Sequence, residues 1–214
     1  ELFEKCHADL LDLFSSKTEK QMEGWTETET ISKWIIPVLR ALGWSEDEDS
    51  DPFAQETSFT IDEFEKSKTY RADLLIADSI DELGFFADRK MKADERLAKA
   101  KKHVLLPVEA KYWGRIKKQH ANKLTQQEEK EKSDLQIDDT KSLTPNRQTL
   151  KYMEILNSEW GILTDGATWR LFNREISQPS ENRFLEFNMY ALYKIGLRAP
   201  NNEADGLIFR EATR

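Results

Sequence analysis

Apolar positions recur at helical spacing early in the chain and at strand spacing through its middle. Leu2, Phe3, Cys6, Leu10, Leu11, Leu13 and Phe14 predict a helix within residues 2–20. A second helix carries Ile31, Trp34, Ile35, Val38, Leu39 and Leu42 on one face. Thr26 or Thr28 is its expected cap, Pro37 its bend and Gly43 its end. "FAQETSFTI" (53–61), "TYRADLLIAD" (69–78) and "HVLLPVEAK" (103–111) read as strands, the first exposed and the third buried on both faces. Pro145 opens a helix to about Asn157 that buries Leu150, Met153 and Leu156. The clearest hairpin is "EWGILTDGATWRLFN", with strands 160–164 and 168–173 around the turn pair Asp165-Gly166. "NRFLEFNMYALYKI" predicts a last strand running into a short helix.

These elements predict one α/β domain over 1–197, a central mixed β-sheet flanked by helices on both sides. Its N-terminal helices occupy 2–42 and its core 53–188. Charged insertions fall near 79–102, helical from about Ala93 to Lys102, and near 114–140, a mobile loop or surface helix. Residues 198–214 read as a loosely held tail or the start of a linker.

Composition narrows the class. With 38% hydrophobic and 34% charged residues among 214, the chain reads as soluble and highly charged. No apolar run reaches the roughly 20 residues of a membrane span, and no signal-peptide pattern opens it, so a cytoplasmic protein is expected. Cys6 is the single cysteine, which excludes a disulfide framework and a structural zinc site. The first residue is Glu1, which fits a fragment of a longer chain. A net charge of −8 argues against nucleic acid as a partner, yet "SEDEDSD" (45–51) holds much of the acid, while 111–123 and 145–152 are locally basic.

The candidate chemistry sits at the end of the most hydrophobic strand. Glu109 and Lys111 are two residues apart, so they project from one face. An internal ion pair, or a strand end reaching water, accounts for that triplet by itself. Asp73, in the apolar "RADLLIAD", adds a second carboxylate. Two carboxylates held together at neutral pH call for a cation, and hard oxygen ligands favour Mg²⁺. A divalent ion beside a lysine suits phosphodiester hydrolysis. His7, His103 and His120 have no ligand or catalytic spacing, which disfavours a histidine–metal nuclease.

"RADLLI" followed by "VEAK" resembles the core of the PD-(D/E)xK nucleases, with Ala72 standing where that family often has proline. Gln148 and Tyr152 of "QTLKY" resemble the QxxxY helix of its RecB-like branch and of Type I or Type IIG-like restriction-modification enzymes. "ETETISKWIIPVLRALGW" and "WGILTDGATWRLF" resemble the helix before the core and the closing hairpin in the same group. The likeness runs from about Glu27 to Phe187, and the order of its pieces is more specific than any one of them.

The resemblance implies a restriction-endonuclease-like core acting as a Mg²⁺-dependent DNA endonuclease, with Mn²⁺ as a possible substitute. Asp73, Glu109 and Glu27 would hold metal, with Glu29 the fallback for Glu27, and Lys111, Gln148 and Tyr152 would complete the catalytic set. Double-stranded DNA is the expected partner, gripped by Lys117, Lys118, Lys123, Arg147 and Lys151, each of which is also an ordinary solvated charge by itself. Trp113 either stacks on a base or, as the more ordinary role, covers the strand end. No Walker A or methyltransferase motif occurs, so helicase, methyltransferase or specificity modules would lie elsewhere in the chain or complex. A standalone or repair-type RecB-like nuclease and a catalytically inactive docking module are the alternatives.

Overall fold

A computed structural model of the chain describes residues 2–44, 51–63, 66–78, 83–88, 90–116, 144–177, 182–198 and 201–212. Six strands form one mixed sheet in sequential order: β1 (Phe53–Glu63), β2 (Lys66–Ala77), β3 (Val104–Ala110), β4 (Trp160–Thr164), β5 (Thr168–Asn173) and β6 (Leu185–Asn188). All neighbouring pairs are antiparallel except β3 and β4, which are parallel and need a crossover. Helices cover both faces, so the α/β architecture read from the sequence stands.

On one face α1 (Leu2–Ser15), α2 (Glu19–Glu23) and the helix that follows pack over Leu74, Ile76, Leu106 and Val108. That third helix starts as α3 (Glu27–Thr30), passes through a π-helical turn (Ile31–Ile35) and continues as α4 (Ile36–Ala41). The π turn ends just before Pro37. Proline lacks an N–H and its ring crowds the preceding turn, and here the Ile36 N–H reaches back to the Ile31 carbonyl. Thr26 is the cap, in a reciprocal box with Glu29. Gly43 at φ 88° ends the helix, and the Trp44 N–H bonds the Leu39 carbonyl at 3.1 Å.

The other face is covered by α5 (Gly84–Ala87), α6 (Ala93–His103) and the crossover helix α7 (Pro145–Leu156), over Tyr70, Ala72, Leu75 and Val104. In α7 Met153 and Leu156 are buried as expected, joined by Tyr152 and Ile155, while Leu150 is only partly buried. β3 is buried on both faces except at Leu105, which is 47% exposed. After the short α8 (Arg174–Ser177) and β6, α9 (Met189–Arg198) returns to α1. The stretch expected to be a loose tail carries α10 (Glu203–Ala212), which packs on α9 with an Arg198–Asp205 ion pair at 3.0 Å. No described helix is long and apolar enough to cross a membrane.

One irregularity bears on the site. Tyr70 and Ala72 face the second core, yet Leu74 and Ile76 face the first, so the pleat of β2 changes phase at Asp73. β1 changes with it, Phe53 facing the first core and Phe59 the second, so the pairing Gln55–Leu74 and Thr57–Ala72 keeps its register. Glu56, between them, takes a left-handed φ of 51°, which is uncommon for a residue with a side chain.

The β4–β5 hairpin turn is a three-residue connection, Asp165-Gly166-Ala167, and Gly166 sits at φ 78°. Trp34 and Trp169 each donate their indole N–H to the Gly166 carbonyl at 3.1 Å, and Trp113 stands edge-on to Trp34 at 5.2 Å. A Cβ on Gly166 would lie 2.7 Å from the Trp113 ring. Gly166→Ala should therefore cost about 2–4 kcal/mol, combining left-handed strain with overpacking. Urea unfolding checks this, and a loss below about 1 kcal/mol would mean that the cage yields easily.

Candidate active site

β2 and β3 pair from Ala77 to Leu74 and then part. At that opening the Asp73 carboxylate takes the place of a ladder partner: its Oδ2 accepts the Ala110 N–H at 2.7 Å. Val108 and Ala110 belong to the first core, so alternation turns Glu109 to the opposite face. Glu109 is 1% exposed. Its Oε1 accepts a short hydrogen bond from Lys111 Nζ, while its Oε2 is buried without a hydrogen-bond partner among the described residues. The Asp73 carboxylate is close enough for its charge to act on Glu109.

Lys111, with 14% of its side chain exposed, joins the third acid, as its Nζ lies 3.6 Å from Glu27 Oε2. Glu27 sits in the first turn of α3 and is 39% exposed. Glu29, the other candidate, is turned away, bonding the Thr26 N–H at 3.0 Å and Lys33 at 2.6 Å. Those bonds hold its carboxyl low, at about 2. Glu27 is thus the helix acid that faces the site. Among the described residues no three acidic, histidine or cysteine side chains are drawn close enough together to hold an ion as they stand. The inner pair is Asp73 and Glu109, with Glu27 standing off behind the ammonium of Lys111.

The electrostatics follow from burial. Desolvation and the neighbouring Asp73 push Glu109 well above the usual carboxylate range, with Lys111 pulling the other way. Burial likewise raises Asp73, against the opposing pull of Lys111 and the Ala110 N–H. It also raises Glu27, again opposed by Lys111. Burial pulls Lys111 down, but Glu109, Asp73 and Glu27 together hold it above the usual lysine range.

The loop that carries Lys111 is fixed by the hairpin turn. The Lys111 N–H donates to the Thr164 carbonyl at 2.8 Å and the Gly114 N–H to the Asp165 carbonyl at 3.3 Å. Asp165, fully buried, accepts the Ile116 N–H on Oδ2 at 2.6 Å and the Thr168 N–H on Oδ1 at 2.7 Å. In the sequence Asp165 reads as a turn residue, and this second use is hidden there, because a tight-turn signal says nothing of what the spare carboxylate oxygen binds. Trp113, 5% exposed, packs against Trp25 and Trp34 and covers the strand end.

Gln148 and Tyr152 are linked as their spacing suggests, with Gln148 Nε2 donating to the Tyr152 hydroxyl at 3.1 Å. That hydroxyl donates in turn to the Arg71 carbonyl, two residues before Asp73, and Tyr152 is fully buried. The pair therefore braces β2 where its pleat changes phase. Of the basic residues, Arg147 is exposed at the start of α7. Lys151 lies 3.4 Å from Glu154 and over the Tyr70 ring. Lys117, Lys118, Lys123 and His120 fall outside the described residues.

No family model matches this chain, and neither the curated proteins nor the solved structures contain a significant match to it.

The raised carboxylates have a consequence with a definite sign. A group whose folded pKa exceeds its unfolded one contributes fully below the unfolded value and loses that contribution as pH rises through the folded value. In chelator, the chain should lose several degrees of thermal stability as pH climbs from the ordinary carboxylate range, near 4, toward 8. The double variant Asp73→Asn/Glu109→Gln should flatten that slope in thermal scans. An equal slope in the variant would place the titration elsewhere.

Proposed function

We propose that this chain is a divalent-metal-dependent deoxyribonuclease domain of the PD-(D/E)xK type, with a restriction-endonuclease-like core, hydrolysing phosphodiester bonds of double-stranded DNA. One observation carries the reading. Glu109 keeps a buried carboxylate oxygen without a hydrogen-bond partner among the described residues, beside the partly buried carboxylate of Asp73, with one ammonium between them and Glu27. An internal ion pair serving stability alone does not need a second acid or an orphaned oxygen.

The donor set fits Mg²⁺, with Mn²⁺ as a substitute, because it offers hard carboxylate oxygens from Asp73 and Glu109 and a third acid, Glu27, at the rim. An ion held there would polarise the phosphoryl oxygen and lower the pKa of water. The chain's own residues do the rest. Lys111 orients the attacking water or offsets negative charge developing on the phosphate. Tyr152, supported by Gln148, holds the backbone that presents Asp73. Burial of Glu109 keeps bulk water from screening its carboxylate.

The resemblance of "RADLLI", "VEAK" and "QTLKY" supports a restriction-modification setting, in which this domain cuts while helicase, methyltransferase or specificity modules deliver DNA. The net charge of −8 suits such a division, since an acidic domain has little affinity for DNA of its own.

Supercoiled plasmid incubated with Mg²⁺ or Mn²⁺, by the chain together with any modules it is found with, should be nicked or linearised. Asp73→Asn and Glu109→Gln should remove the activity, and Lys111→Ala should lower it by about 100-fold or more. Calorimetric titration with Mn²⁺ separates the rival: a docking module or plain ion pair would bind no more metal than Asp73→Asn does.

A further inference from the structure

Arg115 stands out among the cations around the site. Arg71, nearest in sequence to Asp73, is engaged with Glu56 at 2.6 Å, and Lys111 is taken up by Glu109 and Glu27. Arg115 stacks its guanidinium over the Tyr112 ring at 5.0 Å, and its buried Nε–H finds no acceptor among the described residues. An arginine fixed by stacking loses little freedom on gaining an anionic partner at its outer edge.

Its backbone is equally fixed. The Arg115 N–H bonds the Tyr112 carbonyl at 3.2 Å, and the residues on either side are tied to Asp165, Gly114 at 3.3 Å and Ile116 at 2.6 Å. The charge of Arg115 is also felt by Glu27, which lies at the rim of the acidic cluster. An arginine clamped four residues beyond Lys111, near enough for its charge to act on Glu27, is placed to meet an anion as it approaches the carboxylates.

We propose that Arg115 is a phosphate-binding residue of this site, holding a non-bridging oxygen of the nucleic-acid backbone through the outer edge of its guanidinium. Tyr112 is the positioning residue that sets its plane. The assignment of the phosphate to DNA rests on the nuclease reading above, whereas the capture of a phosphate by Arg115 does not require that cleavage occur.

Two measurements on the same protein separate these statements. One is fluorescence-anisotropy binding of a duplex oligonucleotide in Ca²⁺ across a series of salt concentrations, and the other is plasmid cleavage in Mg²⁺. Arg115→Ala should weaken binding about tenfold or more and reduce the slope of log K against log salt by about 0.9, one phosphate contact. Arg115→Lys should restore the slope but only part of the affinity, because it cannot stack and fork. Thermal melting of each variant establishes that it is folded, and Tyr112→Leu, which leaves the charge in place, should lower affinity without changing the slope. If wild type binds through Arg115 but no cleavage occurs with any module, the nuclease reading fails and the Arg115 assignment holds. If cleavage proceeds and a folded Arg115→Ala keeps the wild-type slope and affinity, Arg115 is not a phosphate ligand. Absence of duplex binding by wild type, in low salt and together with any modules it is found with, also overturns the assignment.

Discussion

The structure is organised around a partly buried ammonium–carboxylate cluster with Glu109 at its inner end. Asp73 and Glu109 are brought together where two strands part, and Lys111 lies between them and Glu27. Leaving any of these charges unpaired in the interior costs several kcal/mol, so the cluster survives only where its geometry is imposed from outside. Strand β3 fixes Glu109, the Ala110 N–H fixes Asp73, and the Thr164 carbonyl fixes the backbone of Lys111. Each of the three residues thus has an anchor of its own besides the cluster's attraction.

The second layer extends that logic. Asp165 uses its carboxylate to pin the loop after Lys111, while Gly166 lets three indoles close around the turn. On the other side, Tyr152 reaches across from α7 to the Arg71 carbonyl, beside the point where β1 and β2 exchange faces. Glu56 is in a strained conformation at the same level of the ribbon, and its carboxylate holds Arg71. Strain stored next to an acidic cluster is a common companion of functional sites, although here its support is the surrounding sheet itself.

Much of this was legible in the sequence. The helical stripe of 31–42, the cap signals at Thr26 and Gly43, the Asp-Gly turn and the apolar run of β3 each rest on local rules, and each element formed. The convergence of Asp73, Glu109 and Lys111 was legible because a buried strand ends in charge, which local composition does not favour. The choice between Glu27 and Glu29 was not, since both lie in one helical turn and only the tertiary position of Lys111 separates them. The length of β2 and the helix after Pro200 were also missed. The first is set by pairing with β1, and the second by packing on α9, and neither is encoded in a local period. Arg115 carried no signal of its own, as it is an arginine in a basic stretch until the loop that holds it is seen.

The central claim is that the second carboxylate oxygen of Glu109, without a hydrogen-bond partner among the described residues, and the carboxylate of Asp73 form one cation site. A crystal structure of the chain grown near neutral pH with Mn²⁺, with data collected at the manganese absorption edge, tests it directly. The account predicts an anomalous peak within bonding distance of both carboxylates, with Lys111 drawn back from Glu109. Full-occupancy manganese elsewhere on the molecule, with Lys111 still bonded to Glu109, would contradict it.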